Sequence, residues 1–329
     1  MANDGRAALH FHDKITADNS AFAGIHPATA VESHQRSLPG LVARSLESLP
    51  ASSVKPTEAP SAVAIEVQTG RTQGFRKRKP DFISVTRGPG ISACLATGLD
   101  FAKGLAVAWQ IPLVGVHHMQ AHALTPRLCN ALDGPKAERA QPHFPFLTLL
   151  VSGGHTLLVH SQDLCDHAIL ADTTDIAIGD ALDKMARSIL PRGMLDGQEI
   201  MYGRVLERFA FKEAAEDYGY VAPLSRAKEI MQNITQWGWA LPVPLAQSKK
   251  MQFTFSGLET AVKRLCEQRA KHKGDAERAE IARESMRVAF EHLAMRVAWA
   301  LHDLRAKGQE VSALVMSGGV ASNGFLRVM

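Results

Sequence analysis

The feature of this sequence that most constrains its fold is a short apolar strand ending in a glycine-rich turn, which occurs three times. The three copies lie at residues 83–90, 148–154 and 312–319. Helical patterns lie between them, at 91–109 and at 172–190. Because strands that alternate with helices are typical of this class, we predict an α/β fold.

The clearest helical pattern covers residues 281–305. Apolar side chains recur there every three or four residues, so they share one face of a helix. A β-hairpin is expected at 144–160, where two apolar strands flank a Gly-Gly turn. We expect the apolar helix face to lie in the core; it consists of Met286, Phe290, Leu293, Val297, Leu301 and Leu304.

The composition is ordinary for a globular protein. Apolar residues make up 46% of the 329 residues and charged residues 21%, and the net charge of +4 is compatible with an anionic partner. The four cysteines are far apart, which predicts free thiols in a reducing compartment. No apolar run approaches the roughly 20 residues of a membrane span. Residues 1–20 lack the features of a signal or transit peptide.

Residues 50–80 differ from the rest of the chain. They are rich in Pro and Ser and then in basic residues, so we interpret them as a flexible, solvated insertion. The basic run at 76–79 is compatible with nucleic-acid contact, although a solvated loop without a specific partner is the more common explanation. Residues 192–250 are interrupted by Pro and Gly and give no clear pattern.

Two Ser-Gly-Gly turns, at 152–154 and 317–319, each follow an apolar strand directly. Glycines in such turns let backbone N–H groups approach an anion without interference from a Cβ. One Gly-Gly pair is more often a simple tight turn, but two in equivalent positions favour a nucleotide or acyl-adenylate site. The sequence matches neither the P-loop nor the Rossmann glycine pattern.

Three histidines follow an apolar strand: His117, His118 and His122. His118 and His122 are four residues apart, so both rings would lie on one face of a helix and are suited to bind one metal ion. The glutamate of the zinc-protease motif HExxH is missing, which argues against proteolysis. The pattern leaves a metal site and a polar helix start both open. His117 would face another way and more often packs or caps.

Six segments, in order, resemble the tRNA N6-adenosine threonylcarbamoyltransferase family, also called the TsaD family. They read VTRGPGISACLATGLDFAKGLA, IPLVGVHHMQAH, LLVSGGHTLLV, IGDALDKMAR, FTFSGLETAVKRL and VMSGGVASN. The similarity covers residues 81–329 except 191–250, and a further segment at 24–42 also resembles the family. The histidine after the first Gly-Gly is typical of the bacterial and mitochondrial branch.

The resemblance implies a two-lobed α/β fold like that of actin, Hsp70 and sugar kinases, with two RNase H-like lobes and a cleft between them. We expect an N-terminal lobe at 1–150 and a C-terminal lobe at 151–329. By resemblance, His118 and His122 bind one divalent metal ion, Fe or Zn. The resemblance implies no catalytic side chain. The residues implied to bind the adenylate are Leu150, Val151, Ser152, Gly153, Gly154, Asp183 and Asn323.

The implied reaction transfers a threonylcarbamoyl group from threonylcarbamoyl-adenylate to N6 of the adenosine beside the anticodon of ANN-decoding tRNAs. The implied partners are tRNA and this adenylate, with no membrane, and a homodimer or bacterial-type accessory subunits stay open. The implied location is the mitochondrion in a eukaryote and otherwise the cytoplasm. Two alternatives remain: an ATP-dependent kinase or ATPase of the same fold, and a non-catalytic nucleotide-binding descendant.

The sequence departs from the family pattern at several points. The family's first strand with its acidic turn, and its final segment with a metal-binding aspartate, have no counterpart here. We therefore expect a chain that lacks both, with little transferase activity as given. His117 and His155 would be the next candidates for a third metal ligand. The glycine of a family Gly-Gly-Pro motif is matched loosely by Gly193 or Gly197.

Overall fold

The structure is a computed structural model that describes residues 7–18, 26–52, 64–69, 73–132, 141–195, 202–212, 218–269 and 274–329. The chain divides into two compact units, Met1–Gln141 and Pro142–Met329. The predicted boundary lies between residues 150 and 151. The structure puts it earlier because the strand Phe146–Val151 pairs with strands of the second unit.

The described residues of the first unit form three helices: α1 (Pro27–Glu47), α2 (Ser92–Trp109) and α3 (His118–Leu132). The start of α1 is fixed locally. Pro27 occupies the first helical turn, where its missing N–H costs nothing, and His26 Nδ1 accepts a hydrogen bond from the Thr29 N–H at 3.4 Å.

A parallel strand pair in the first unit confirms the pattern predicted around residues 83–117. Strand β3 (Ile83–Gly88) pairs in parallel with β4 (Leu113–His117), and α2 connects the two. Two neighbouring parallel strands need a long connection such as this helix, because the chain must return to the starting end of the sheet before the second strand begins. Ala102 and Ala106 are buried on α2, and side chains this small allow close packing.

The prediction of a solvated insertion at 50–80 is wrong for part of this segment. Residues 64–69 form strand β1 (Ala64–Thr69), which pairs antiparallel with β2 (Gln73–Arg78). The basic run thus begins on a strand. A strand with one face in water can carry basic side chains, so the basic composition alone did not distinguish this strand from a loop. Residues 53–63 and 70–72 lie outside the described part.

The second unit is built on a five-stranded sheet whose strand order is β8-β7-β6-β5-β9. The predicted hairpin is confirmed, because β5 (Phe146–Val151) and β6 (Thr156–Ser161) pair antiparallel across the Gly-Gly turn. β7 (His167–Thr173) follows antiparallel, and β8 (Gln252–Phe253) and β9 (Leu314–Ser317) add in parallel at the two edges.

The core of this unit packs against the predicted amphipathic helix, α8 (Asp275–Ala306). Met286, Phe290 and Leu293 on its predicted face are fully buried. The same core includes residues of α4 (Ile178–Ile189), α5 (Tyr202–Ala210) and α7 (Ser256–Gln268). None of the described helices has the length and apolar character needed to cross a membrane.

Two predictions along the second unit need correction. The helix expected at 172–190 is α4, which begins at Ile178 because residues 172 and 173 belong to β7 and residues 174–177 form the connection to the helix. The segment left unassigned at 192–250 contributes α5 and a single turn, α6 (Arg226–Glu229). The chain ends with a short helix, α9 (Gly324–Val328).

Asp175, in the connection from β7 to α4, ties that connection to the start of α7. Its carboxylate accepts hydrogen bonds from the Phe255 N–H at 3.1 Å, the Ser256 N–H at 3.0 Å and the Thr254 hydroxyl at 2.6 Å. Burial alone would raise the pKa of Asp175, but the donors from Ser256, Thr254 and the backbone outweigh it and lower the pKa to about 2.

His292 on α8 contacts the segment just before the start of α7. The imidazole is fully buried between the rings of Phe253 and Phe255, and its Nε2 accepts a hydrogen bond from the Thr254 N–H at 3.3 Å. Burial and the nearby Arg296 lower the pKa of His292 to about 3, so the ring is neutral at pH 7.

Replacing Asp175 with Asn should lower the free energy of unfolding by about 1–2 kcal/mol at pH 7, because a charged acceptor of several hydrogen bonds is lost and the site is partly exposed. The pKa of about 2 in the folded protein lies below the ~3.9 of an unfolded aspartate. The stabilisation is therefore complete above about pH 4 and is lost as the pH falls towards 2. Urea denaturation followed by circular dichroism measures both effects.

Asp172 provides the matched control. It is exposed, three residues earlier on β7, and its side chain has no hydrogen-bond partner among the described residues. Asp172→Asn should change the free energy of unfolding by less than about 0.5 kcal/mol. Equal losses in the two variants, or a difference for Asp175→Asn that stays unchanged down to pH 2.5, would contradict this role.

Candidate functional site

The two Ser-Gly-Gly turns lie side by side in the second unit. β5 and β9 run parallel with Leu150 opposite Ser317, so both strands end at the same edge of the sheet. Gly318 has a φ of 102°, and a Cβ on it would overlap the carbonyl oxygen of Val151. The two turns are therefore neighbours, and a glycine is required where they approach.

The first turn is held by its own serine. Ser152 Oγ accepts hydrogen bonds from the His155 N–H at 3.0 Å and the Gly154 N–H at 3.3 Å. The Ser152 carbonyl oxygen accepts the Gly179 N–H at 3.1 Å, which places the start of α4 against the turn. A Cβ on Gly179 would lie 2.7 Å from both Gly153 N and Ser152 O, so α4 approaches as closely as a glycine permits.

A pocket of about 230 Å³ opens beside these turns. Three of the seven residues predicted to bind the adenylate line it: Gly153, Asp183 and Asn323. Leu150 and Val151 are buried within β5, and they, Ser152 and Gly154 are not part of the lining that the structure describes. The full lining is Gly153, Gly179, Leu182, Asp183, Gly203, Arg204, Glu207, Gly319, Val320, Ser322 and Asn323.

Asp183 is the half-buried carboxylate of this pocket. It lies on α4, and its Oδ1 accepts a hydrogen bond from the Gly203 N–H at 2.9 Å. Burial raises the pKa of Asp183, and Asp180 adds to this, while the Gly203 N–H and Arg187 oppose it. A carboxylate short of donors favours ligands that bring hydroxyl groups to it.

Asn323 bounds the pocket but also has a structural role. Its Oδ1 accepts the Leu326 N–H at 3.1 Å and so caps α9, and the side chain is almost fully buried. Its Nδ2 points to the sulfur of Met286 at 3.9 Å. Replacement of this residue would therefore disturb the helix end as well as any bound ligand.

Eight of the eleven lining residues are absent from the predicted adenylate-binding set, and three of these eight lie on α5: Gly203, Arg204 and Glu207. Glu207 Oε1 accepts the Gly324 N–H at 2.7 Å, the Phe325 N–H at 3.3 Å and the Tyr218 hydroxyl at 3.1 Å. The signal that pointed to them was the helical pattern YGRVLERFA, which lies within the segment left unassigned.

Gly203, through its contact with Asp183, is the glycine of this segment that the structure places in the pocket. The sequence analysis named Gly193 or Gly197 instead. Gly193 lies in a short 3₁₀ turn and is not part of the described lining, and Gly197 lies outside the described residues.

The predicted histidine pair is adjacent in the first unit. His118 begins α3, and its Nε2 lies 3.2 Å from Nε2 of His122, with the ring centroids 4.5 Å apart. This separation allows both nitrogens to bind one Zn²⁺ at about 2.0–2.1 Å, so the two residues fit a metal. Across the described ranges, no cluster of three or more His, Cys, Asp or Glu side chains is arranged to hold a metal ion.

His117 and His155, the other two ligand candidates, lie elsewhere in the fold. His117 is the last residue of β4, immediately before α3. His155 belongs to the second unit, in the first Ser-Gly-Gly hairpin, where its N–H bonds Ser152. Neither joins His118 and His122 in a ligand cluster of the described residues.

Comparison with known proteins identifies the chain's relatives. The sequence model of TsaD, described as tRNA N6-adenosine threonylcarbamoyltransferase, matches residues 68–329. The chain is 35% identical over 312 residues to the mitochondrial tRNA N6-adenosine threonylcarbamoyltransferase of Schizosaccharomyces pombe, covering 94% of this chain and 61% of that protein. It is 33% identical over 254 residues to the Burkholderia cenocepacia tRNA N6-adenosine threonylcarbamoyltransferase, covering 77% and 63%. The chain thus spans about three fifths of the length of these relatives.

Gly179→Ala should destabilise the second unit or displace the first turn, because the new methyl group would meet backbone atoms of Ser152 and Gly153. Overpacking of this kind costs about 1–3 kcal/mol. Chemical denaturation measures the loss.

Gly153→Ala is the matched control. No described atom lies within 4 Å of a Cβ built there, apart from its chain neighbours, so the substitution should leave the free energy of unfolding within about 0.5 kcal/mol. If Gly179→Ala is as stable as Gly153→Ala, the close approach of α4 to the turn is not a constraint.

Proposed function

We propose, because this chain belongs to the TsaD family of tRNA N6-adenosine threonylcarbamoyltransferases, that it transfers a threonylcarbamoyl group from threonylcarbamoyl-adenylate to N6 of the adenosine beside the anticodon of ANN-decoding tRNAs. The observation that carries this proposal is the pocket in which Asp183 and both Ser-Gly-Gly turns meet. The anticodon loop is single-stranded, so its bases can be splayed out for reaction.

The chemistry asks mainly for positioning. An acyl-adenylate has a good leaving group, whereas the exocyclic amine of adenine is a poor nucleophile because its lone pair is delocalised into the ring. The enzyme must therefore hold the two reactants in register and stabilise the charge that develops on the leaving phosphate. Neither task requires a side chain that becomes covalently modified, in agreement with the absence of a predicted catalytic residue.

Different residues of the pocket perform these tasks. Asp183 accepts hydrogen bonds from the ribose hydroxyls, as its single backbone donor leaves acceptor capacity unused. Gly153 and Gly319 present backbone N–H groups to the adenylate phosphate without a Cβ in the way. Leu150, Val151 and Ser152 position the first turn: the first two are buried in β5, and the Ser152 hydroxyl accepts a hydrogen bond from the His155 N–H across the turn.

A divalent metal, Fe or Zn, would be held by Nε2 of His118 and of His122. When bound, it would supply Lewis-acid polarisation of a carbonyl oxygen. The histidines themselves provide neutral nitrogen ligands on one helix turn, which preorganises the pair before the ion arrives.

The wider setting of the chain follows the family. We expect the two-lobed arrangement of actin-like proteins, with the first unit as the N-terminal lobe and the second as the C-terminal lobe. The partners are tRNA and the adenylate, together with a second copy or bacterial-type accessory subunits. In a eukaryote the site of action is the mitochondrion, as the name of the Schizosaccharomyces pombe relative indicates for that protein, and otherwise the cytoplasm.

A reconstituted assay tests the proposal: the protein, unmodified ANN-decoding tRNA and threonylcarbamoyl-adenylate, with modified nucleosides measured by mass spectrometry. Formation of threonylcarbamoyladenosine supports the transferase. ATP turnover without dependence on tRNA would favour a kinase or ATPase of the same fold. Adenylate binding without either reaction would favour a non-catalytic descendant.

Asp183→Ala should weaken the binding of a non-hydrolysable adenylate analogue by about 10- to 150-fold, because a charge-assisted hydrogen bond of about 1.5–3 kcal/mol is lost. Binding of tRNA should change much less. Isothermal titration calorimetry measures the adenylate and a filter-binding assay the tRNA.

Asp180→Ala is the matched control for Asp183→Ala. Asp180 lies on the same helix, pairs with Lys184 at 2.8 Å and is not part of the described lining. Its replacement should change adenylate affinity by less than about threefold. Equal effects of the two substitutions would remove Asp183 from the binding site.

Replacing both His118 and His122 with Ala should reduce the metal content from about one ion per chain to near zero, measured by elemental analysis of the purified protein. His302→Ala, on an imidazole whose side chain is 83% exposed on α8, should leave the content unchanged. A double variant that retains one ion per chain would show that the metal is bound elsewhere.

A further inference from the structure

We infer that Arg204 binds an oxyanion of the ligand in this pocket and makes the site selective for nucleotides over nucleosides. The inference rests on the proposed function, because it concerns the same site. Arg204 lies in the first turn of α5 and lines the pocket, and it is exposed. Within the described ranges, its guanidinium has neither a hydrogen-bond acceptor nor a carboxylate partner.

The charges around the pocket distinguish Arg204 from its neighbours. Among the described lining residues it is the single cation, and the other charged groups are Asp183 and Glu207. Glu207 already accepts three hydrogen bonds, from two N–H groups of α9 and from the Tyr218 hydroxyl. All three bonds go to Oε1, so the fold uses one oxygen of this carboxylate, and Glu207 forms no ion pair with Arg204.

The position of Arg204 is coupled to Asp183. The Gly203 N–H donates to Asp183 Oδ1 at 2.9 Å, and Arg204 is the next residue in the chain. Asp183, which can accept hydrogen bonds from hydroxyl groups, and Arg204, which can donate hydrogen bonds to an oxyanion, thus line the same pocket. The hydrogen bond from the Gly203 N–H to Asp183 Oδ1 joins their two helices. A ligand that uses both groups has vicinal hydroxyls and a nearby phosphate or carboxylate, as in a nucleotide or its acyl derivative.

The guanidinium suits this task by its chemistry. It stays charged at all physiological pH values and presents paired N–H donors that match a phosphate or a carboxylate. Because Arg204 is exposed, water and salt screen its charge, so we expect a contribution to affinity of about three- to tenfold at low ionic strength and less at high salt.

The experiment compares three probes by calorimetry on the full chain: adenosine, AMP, and adenosine 5′-hemisuccinate, which carries a carboxylate and no phosphate. The unsubstituted protein should bind at least one anionic probe about three- to tenfold more tightly than adenosine at low salt. Preference for AMP assigns the phosphate as the group recognised, and preference for the hemisuccinate alone assigns a carboxylate. In 0.5 M salt the preference should shrink.

Two variants separate this role from a general charge effect. Arg204→Gln should lose most of the preference for the anionic probes and keep only the part that the N–H groups of Gly153 and Gly319 contribute, while its affinity for adenosine itself stays within about twofold. Arg208→Gln removes the same charge one turn further along α5, from a residue outside the described lining, and should keep the preference. Arg204→Lys should keep part of it, because the charge remains without the paired donors. Thermal melts of all variants confirm that they are folded.

The outcomes also separate this inference from the proposed function. Equal affinities for adenosine, AMP and the hemisuccinate in the unsubstituted protein overturn the role of Arg204 and the phosphate contacts of Gly153 and Gly319, whereas the transferase reaction itself is judged by the tRNA assay. The same role is overturned if Arg204→Gln keeps the anion preference, or if Arg208→Gln loses it equally. Failure of all three probes to bind overturns the inference together with the assignment of the pocket.

Discussion

The parallel pairing of β5 with β9 is the interaction on which the candidate site depends. It joins residues more than 160 positions apart in the chain and sets Leu150 opposite Ser317, so that two Ser-Gly-Gly turns leave the sheet together. A slip of one residue would turn every side chain of β9 to the other face and separate the turns. At this register Gly318, with a φ of 102°, lies against the carbonyl oxygen of Val151 at the end of β5.

The positions of the helices that line the pocket depend on these turns. α4 begins against the first turn through the bond from Gly179 to Ser152, which fixes where Asp183 lies one turn later. Asp183 in turn fixes Gly203 at the start of α5, and Glu207 on α5 holds the start of α9. In each case a main-chain N–H donates to the neighbouring element: to the Ser152 carbonyl oxygen, to the Asp183 carboxylate or to the Glu207 carboxylate.

The parts of this arrangement that could be predicted from the sequence are those encoded over short distances. The hairpin around residues 152–154 and the apolar face of α8 are set by local turn chemistry and by helical periodicity. The pairing of His118 with His122 follows from a spacing of four residues, and the structure places their Nε2 atoms 3.2 Å apart. The family segments supplied the remainder, including Asp183.

The parts that could not be predicted depend on contacts between distant residues. β7 has few distinctive residues and exists because β6 and β8 pair with it on both sides. β2 carries a basic run that resembles a loop, yet β1 provides its hydrogen-bond partners. Arg204 and Glu207 gain their roles from the Gly203 to Asp183 contact and from the start of α9, which nothing in the local pattern of α5 indicates.

The two carboxylates of the pocket show how hydrogen-bond counting separates structural residues from ligand-binding ones. Glu207 uses one carboxylate oxygen, Oε1, to accept hydrogen bonds from three donors that belong to the fold, so a ligand would have to bind its second oxygen or displace one of these donors. Asp183 has one such donor, and burial raises its pKa, which means that its ionised form is under-stabilised in the absence of further donors. Hydroxyl groups of a ligand would supply those donors and recover part of the desolvation cost. The same reasoning gives Ser152 a structural role, because its hydroxyl already accepts hydrogen bonds from two N–H groups of its own turn. Asp183 and Arg204 are the pocket side chains whose hydrogen-bonding groups are least used by the fold.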